Sequence, residues 1–312
     1  VAILEPSTRP DCDIDYLFGQ VSLTEPVIDW AGSCGNIASA VGVFAISEGY
    51  VSPGPTPVKT PVRIWQQNTG VRMVAHVPTR AGDLDYDESA GFVELPGVPG
   101  RAPGILVESE SPMIGDKLFP TGKLRDMVTL PDGRQAEATV IAAGNHTIFV
   151  RARDIGLTGA ELPSELQYKG KMDLIIDSLR ASAAKLMGMD QPHAGLRTAC
   201  IAEPSEYTSS SKEVVAPESV DVLSRISTEG RIHHAHTGTG AIALACAAMA
   251  EGTLVHEVCQ LTQPQVRIGH PGGIMVVGAD VGKNGAGDWE ARSVGFVRTA
   301  RFLMEGTVYV PM

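Results

Sequence analysis

Cysteine is scarce and odd in number here: Cys12, Cys34, Cys200, Cys246 and Cys259, with no C-x-x-C pair among them. That argues against a disulfide framework and against structural zinc, and it sets a reducing, cytoplasmic compartment as the expectation. Long apolar runs are missing too. None approaches the roughly 18 residues that a membrane span needs, so no membrane partner is expected. The opening Val1-Ala2-Ile3-Leu4-Glu5-Pro6 lacks the regions of a signal peptide. Since it begins with Val rather than Met, further residues are expected before Val1. Nor is there an excess of positive charge: 25 Lys and Arg face 36 Asp and Glu, a net charge of −11. This weighs against nucleic acid as a partner, while a local basic pocket for a small anion stays open.

What is present is a chain of 312 residues, 43% hydrophobic and 20% charged, enough to bury an ample core and expected to form two domains. Its organising stretch is Ser33 to Gly49, SCGNIASAVGVFAISEG, where a cysteine, a glycine and an amide open an apolar helix. The first backbone N–H groups of a helix have no partner within it and the dipole is positive there, so such a start favours a carboxylate or a thiolate. A shift of 203 residues lays Thr237–Gly252, TGTGAIALACAAMAEG, over Cys34–Gly49, matching Gly35 with Gly238, Ala38 with Ala241 and Glu48 with Glu251. A V-R-I run follows each helix, at Val62–Ile64 and Val266–Ile268, then a glycine turn (Asn68-Thr69-Gly70; Pro271-Gly272-Gly273) and a strand. Helix, strand, turn and strand in the same order predict two similar halves with a cleft between them.

In chain order, Asp13 to Leu23 reads as a strand, Ser52 to Pro61 as a proline loop, Val62 to Val77 as a hairpin and Gly91 to Gly104 as a long irregular loop. Two strands are expected within Val128 to Val150, around Pro131-Asp132-Gly133, the second at Thr147–Val150. Met172, Ile175, Ile176, Leu179, Ala183 and Leu186 mark one face of an amphipathic helix. The halves are expected as 1–160 and 161–312, the last strand returning to the first half. Thr198–Ala202 reads as a strand, and Pro217 as opening a short helix to about Glu229. A hairpin across Lys283-Asn284-Gly285 and closing strands over Ser293 to Val310 complete the chain.

Several of these motifs stand together: DIDYLFGQV at 13–21, SCGN at 33–36, NTG at 68–70, GVPG at 97–100, IGLTG at 155–159, HHA at 233–235 and GHPGG at 269–273. In this order and over nearly the whole chain, the sequence resembles the PrpF family, which includes methylaconitate cis-trans isomerase, methylitaconate delta-isomerase, oxalomesaconate tautomerase and aconitate isomerases. The resemblance implies an α+β fold like that of diaminopimelate epimerase, two pseudo-symmetric halves each wrapping strands around a central helix. It implies a cofactor-independent isomerase that moves a C=C bond in a small di- or tricarboxylate by allylic proton transfer, without metal, with a homodimer as a common assembly. Cys34 matches the family's active-site cysteine. Gly35 and Asn36 would bind a carboxylate, and Asn68, Thr69, His236, Thr237, Gly238, Thr239, His270, Gly272 and Gly273 would line the cleft. The family's proton-transferring lysine precedes a V-x-I-L-like strand and would lie just before Val1. His146 stands where the family usually has proline.

Two other readings stay open. Racemases of this fold carry a cysteine at each helix start, but here the second position is Thr237, which disfavours two-thiol chemistry. A non-catalytic carboxylate-binding protein is the other. His233 and His234 have no carboxylate or cysteine at ligand spacing, and Gly238-x-Gly240 is no dinucleotide fingerprint.

Overall fold

The computed structural model describes residues 1–312 apart from 23, 24, 31, 97, 168–170, 193, 194, 229, 230, 262, 264, 308 and 310–312. Two nearly featureless helices organise it. The first, α1 (Gly35–Ser47), follows strands β1 (Ala2–Pro6) and β2 (Ile14–Phe18). After it come β3 (Val58–Gln66), β4 (Val71–Arg80) and β5 (Ile105–Glu110). These wrap α1, burying Ala38, Val41 and Ala45 against Ile14, Tyr16, Ile64, Ala75 and Val107. Small residues on the helix let the strands come close: a Cβ on Gly42 would meet Ala75 Cβ at 2.7 Å.

The second half repeats the plan with more strands. It comprises β6 (Asp126–Thr129), β7 (Gln135–Ala143), β8 (Asn145–Arg151), α2 (Lys171–Leu186), β9 (Arg197–Ala202) and β10 (Val222–Thr228). Then follow α3 (Gly238–Met249), β11 (Gln265–His270), β12 (Gly273–Lys283) and β13 (Trp289–Arg298). Every residue of α3 from Gly238 to Ala248 is buried. One sheet joins both halves, its strands running β1-β2-β3-β4-β5-β13-β12-β11-β10-β9-β8-β7-β6. The seam is β13, antiparallel to β5 on one side and to β12 on the other.

The two V-R-I strands confirm the internal repeat in detail. β3 runs parallel to β2 and β11 parallel to β10. At the start of each pair an aspartate grips the arginine of V-R-I: Arg63 Nη2 lies 2.5 Å from Asp13, and Arg267 Nη2 lies 2.6 Å from Asp221. In each case the arginine's backbone N–H also donates to that carboxylate, at 2.7 Å.

Several expectations need correction. The strand β3 begins at Val58 and takes in Pro61. Its pairing with β2 covers only Ile64–Gln66, so at Pro61 no strand of β2 lies alongside to need the missing N–H. Strand β7 lies inside a stretch for which only two strands were expected; Ala138 to Ala143 are buried on both faces, between α3 and α2, so the alternation that marks a half-buried strand is absent. Pro217–Ser219 forms a single 3₁₀ turn, and β10 occupies the rest of the expected helix, Val222, Leu223 and Ile226 being core residues. The loop at 91–104 contains a ribbon of Phe92–Glu94 with Arg101–Pro103. The last strand stops at Arg298. The expected ends at Leu23, Glu229 and Val310, and Gly97 of the GVPG motif, lie outside the described residues. Since β6 to β8 pack with α3 and α2, we propose the division between halves near Ser111 rather than near residue 160.

Candidate active site

Each central helix starts at the seam. Cys34 is the N-cap of α1 in extended backbone, and its side chain makes no capping bond. Thr237 is the N-cap of α3, and its Oγ1 accepts the Gly240 N–H at 3.1 Å. The two equivalent positions therefore differ in use: the threonine hydroxyl is engaged with its own helix and the thiol is not. The Cys34 carbonyl accepts the Tyr16 hydroxyl at 3.2 Å, which ties the α1 start to β2. Among the described residues, no hydrogen bond takes the backbone N–H of Gly35, Asn36, Gly238 or Thr239, as expected for the first turn of a helix.

The side chain of Phe296, on β13, stands between these two starts. A Cβ on Gly35 or on Gly238 would come within 3.1 Å of Phe296 Cζ. Glycine at both positions thus lets one aromatic ring hold both helix mouths near each other. Two residues on, on the same face of the strand, Arg298 lies over the Phe296 ring at 4.4 Å and donates from Nε to Asn36 Oδ1 at 2.7 Å.

The helix starts open into a cavity of about 280 Å³ lined by Cys34, Gly35, Asn36, Thr237, Gly238 and Thr239, together with Gln20, Asp29, Arg197 and His233. Arg197 brings positive charge to this cavity, in a molecule whose net charge is −11. The Nδ1 of His233 accepts the Ala235 N–H at 3.1 Å, so the neutral ring carries its proton on Nε2. Burial, then the neighbouring His234, holds this histidine below its ordinary pKa.

A second cavity of about 600 Å³ shares Asn36 and His233 with the first and is lined by His236, His270, Gly272, Arg298 and several apolar side chains. His236 is buried, its Nδ1 donating to the Thr237 carbonyl at 3.2 Å and its Nε2 accepting the Ser224 hydroxyl at 3.1 Å. Burial pulls its pKa down to about 4, so the ring is neutral at pH 7. His270 accepts the Gly272 N–H on Nδ1 and is pulled down to about 3 by burial and by His236. Behind both lies Arg225, wholly buried, its guanidinium held by the carbonyls of Glu161, Ser224 and Gly269.

The site residues expected from sequence thus fall into four groups. Cys34, Gly35, Asn36, Thr237, Gly238 and Thr239 share one cavity. His236, His270 and Gly272 line the adjoining one, while Thr69 lines a narrow pocket that reaches Gly35 and Thr239. Asn68 and Gly273 have structural bonds. The Asn68 amide exchanges hydrogen bonds with Phe18 N and O and donates to Trp30 O, which leaves it no hydrogen for a carboxylate. The Gly273 carbonyl accepts the Tyr207 hydroxyl at 2.6 Å. Sequence reasoning missed Gln20, Asp29, Arg197 and Arg298; Arg298 meets its partner across 262 residues, and no local pattern marks such a pair.

Comparison with known proteins follows the same lines. The model of the family described as PrpF protein matches residues 1–311. A 2-methyl-aconitate isomerase of Shewanella oneidensis is 39% identical over 324 residues, covering 99% of this chain and 81% of that protein. A 3-methylitaconate isomerase of Eubacterium barkeri is 32% identical, covering 99% and 82%. A crystal structure of methylitaconate-delta-isomerase superposes with a TM-score of 0.82 at 32% identity over 99% of this chain and 80% of that one. A hydroxyproline epimerase of Agrobacterium vitis, 14% identical with a TM-score of 0.54 over 96% and 73%, shares the fold alone.

Proposed function

We propose, from the premise that this chain belongs to the PrpF family, that the cavity between its two helix starts is where an unsaturated tricarboxylate of the 2-methylaconitate type has its double bond shifted. The chain is an isomerase acting on small unsaturated polycarboxylates, as its named relatives indicate: 2-methylaconitate is a tricarboxylate and methylitaconate a dicarboxylate. The residue roles that follow are our reading.

The observation that carries it is the convergence of two helix starts, whose first N–H groups have no partner among the described residues, on one cavity beside a thiol with no capping bond. Moving a C=C bond along such a substrate removes one proton from an allylic carbon and delivers one to another, so the substrate's composition is unchanged. In between, negative charge spreads from the carbanion into a neighbouring carboxylate. That charge needs fixed donors already in place. The N–H groups of Gly35 and Asn36 face it from one helix and those of Gly238 and Thr239 from the other. Arg197 pairs with a further carboxylate, and Cys34 handles one of the two proton transfers.

A racemase reading requires a second proton-transferring group at the α3 start. There the Thr237 hydroxyl serves as cap to Gly240, which favours the allylic shift. The test is proton NMR of the full-length protein in deuterated water with 2-methylaconitate and aconitate. Exchange of an allylic proton together with appearance of the isomer is expected, and Cys34→Ala is expected to lower kcat by about 10²-fold or more. Exchange of an amino-acid α-proton with no allylic exchange would overturn the assignment.

A further inference from the structure

A guanidinium carries N–H donors and no acceptor. Asn36 must therefore turn its amide oxygen, not its NH2, toward Arg298, whose Nε reaches Oδ1 at 2.7 Å. Arg298 is itself fixed: Nη1 donates to the Val297 carbonyl at 2.9 Å, Nη2 contacts Met275 Sδ at 3.6 Å, and the guanidinium plane lies over Phe296. Among the described residues no carboxylate forms an ion pair with it. Burial draws its pKa down to about 10, which leaves it charged at neutral pH. On the other edge of the amide, no hydrogen bond among the described residues takes the Asn36 NH2, and Asn36 lines the cavity that holds Cys34.

We infer that Arg298 is a positioning residue for substrate binding: by holding the Asn36 oxygen from behind, it presents the Asn36 NH2 to a substrate carboxylate at the α1 start. The inference rests on the isomerase reading above. The two edges of an amide are nearly equal in shape, so without Arg298 the group can flip. A flipped Asn36 would point its oxygen at a carboxylate and repel it. Because the contact is made to a carboxylate already ionised in the bound substrate, its loss weakens substrate and transition-state binding nearly alike, and KM changes more than kcat. A purely structural arginine would instead lower stability and leave the Asn36 contact intact.

The test combines kinetics with NMR. In the full-length protein, Arg298→Met is expected to raise KM for 2-methylaconitate about tenfold with kcat within about threefold. Asn36→Ala is expected to do the same, and the double variant is expected to be no worse than Asn36→Ala alone. Arg298→Lys, still a pure donor, should recover part of the loss. Independently of turnover, the chain has four asparagines, at 36, 68, 145 and 284. With 15N-asparagine labelling, the Asn36 NH2 signal, identified by its absence in Asn36→Ala, should shift and broaden in Arg298→Met and be restored in Arg298→Lys, while the signals of Asn68, Asn145 and Asn284 stay in place. Additive effects on KM, or an Asn36 signal unmoved in Arg298→Met, would overturn the inference. If the full-length protein turns over no tricarboxylate, the isomerase reading is lost and the NMR arm alone decides whether Arg298 orients the amide.

Discussion

Cys34 and Thr237 occupy equivalent places in a repeated plan, and the difference between a sulfur and an oxygen there divides the labour of the two halves. A hydroxyl is a good cap, and Thr237 uses its own for Gly240; a thiol caps poorly and stays available to the cavity. The other cysteines sit differently. Burial pushes Cys200, Cys246 and Cys259 each up to about 12, and Cys12 is raised by burial and by Asp11. Iodoacetamide at pH 8 is thus expected to label Cys34 before any other cysteine, as read by peptide mass spectrometry. A saturated tricarboxylate should slow that labelling. Earlier labelling of Cys12 or Cys259, or no protection, would count against Cys34 as the cysteine of the site.

At the level of elements, strand β13 sets the distance between α1 and α3, because the Phe296 ring stands where a Cβ on either of their first residues would crowd it. Gly35→Ala and Gly238→Ala each place a Cβ at 3.1 Å from the ring tip, closer than ordinary contact, so ring or helix must yield. Each is expected to cost about 1–3 kcal/mol in urea denaturation. Phe296→Leu removes the ring tip, so Gly238→Ala made in that background should cost at least about 0.5 kcal/mol less than in the wild type. Equal costs in both backgrounds would mean that the ring does not set the spacing. These two glycines were readable in advance because the repeat aligned them, whereas Phe296 was not. The helices, both V-R-I strands and the amphipathic face of α2 follow from local periodicity and from the repeat. Strand β7 escaped because burial on both faces erased its alternation, and β10 because a proline at a helix-like start was followed by residues that the core holds extended. The Asn36–Arg298 and Asn68–Phe18 bonds join residues far apart in sequence, so composition and spacing carry no trace of them.

For the molecule as a whole, the buried histidines couple stability to pH. His236 and His270 are held near 4 and 3, against an ordinary value near 6.5, by burial and by the charges of Arg225 and Arg298. Between those values and 6.5 the unfolded chain binds protons that the folded chain does not, so stability is full above about pH 6.5 and falls as pH drops below it. Each histidine contributes a slope of at most about 1.4 kcal/mol per pH unit. His233, also held low, acts in the same direction. The urea midpoint is therefore expected to fall steadily from pH 7 to pH 5, and less steeply in His236→Gln. A flat midpoint over that range would show that these rings accept protons without leaving the fold.

The position of β13 in the chain has a consequence for synthesis. A ribosome completes α1 and its surrounding strands long before it reaches residues 289–298, yet the ring that spaces the helix starts and the arginine that turns Asn36 both belong to that late strand. A nascent chain halted before β13 carries the thiol and both helices but lacks the residues that set them against each other. Assembly of the site is thus timed by translation, and prematurely terminated chains are released without the contacts that hold its two sides in place.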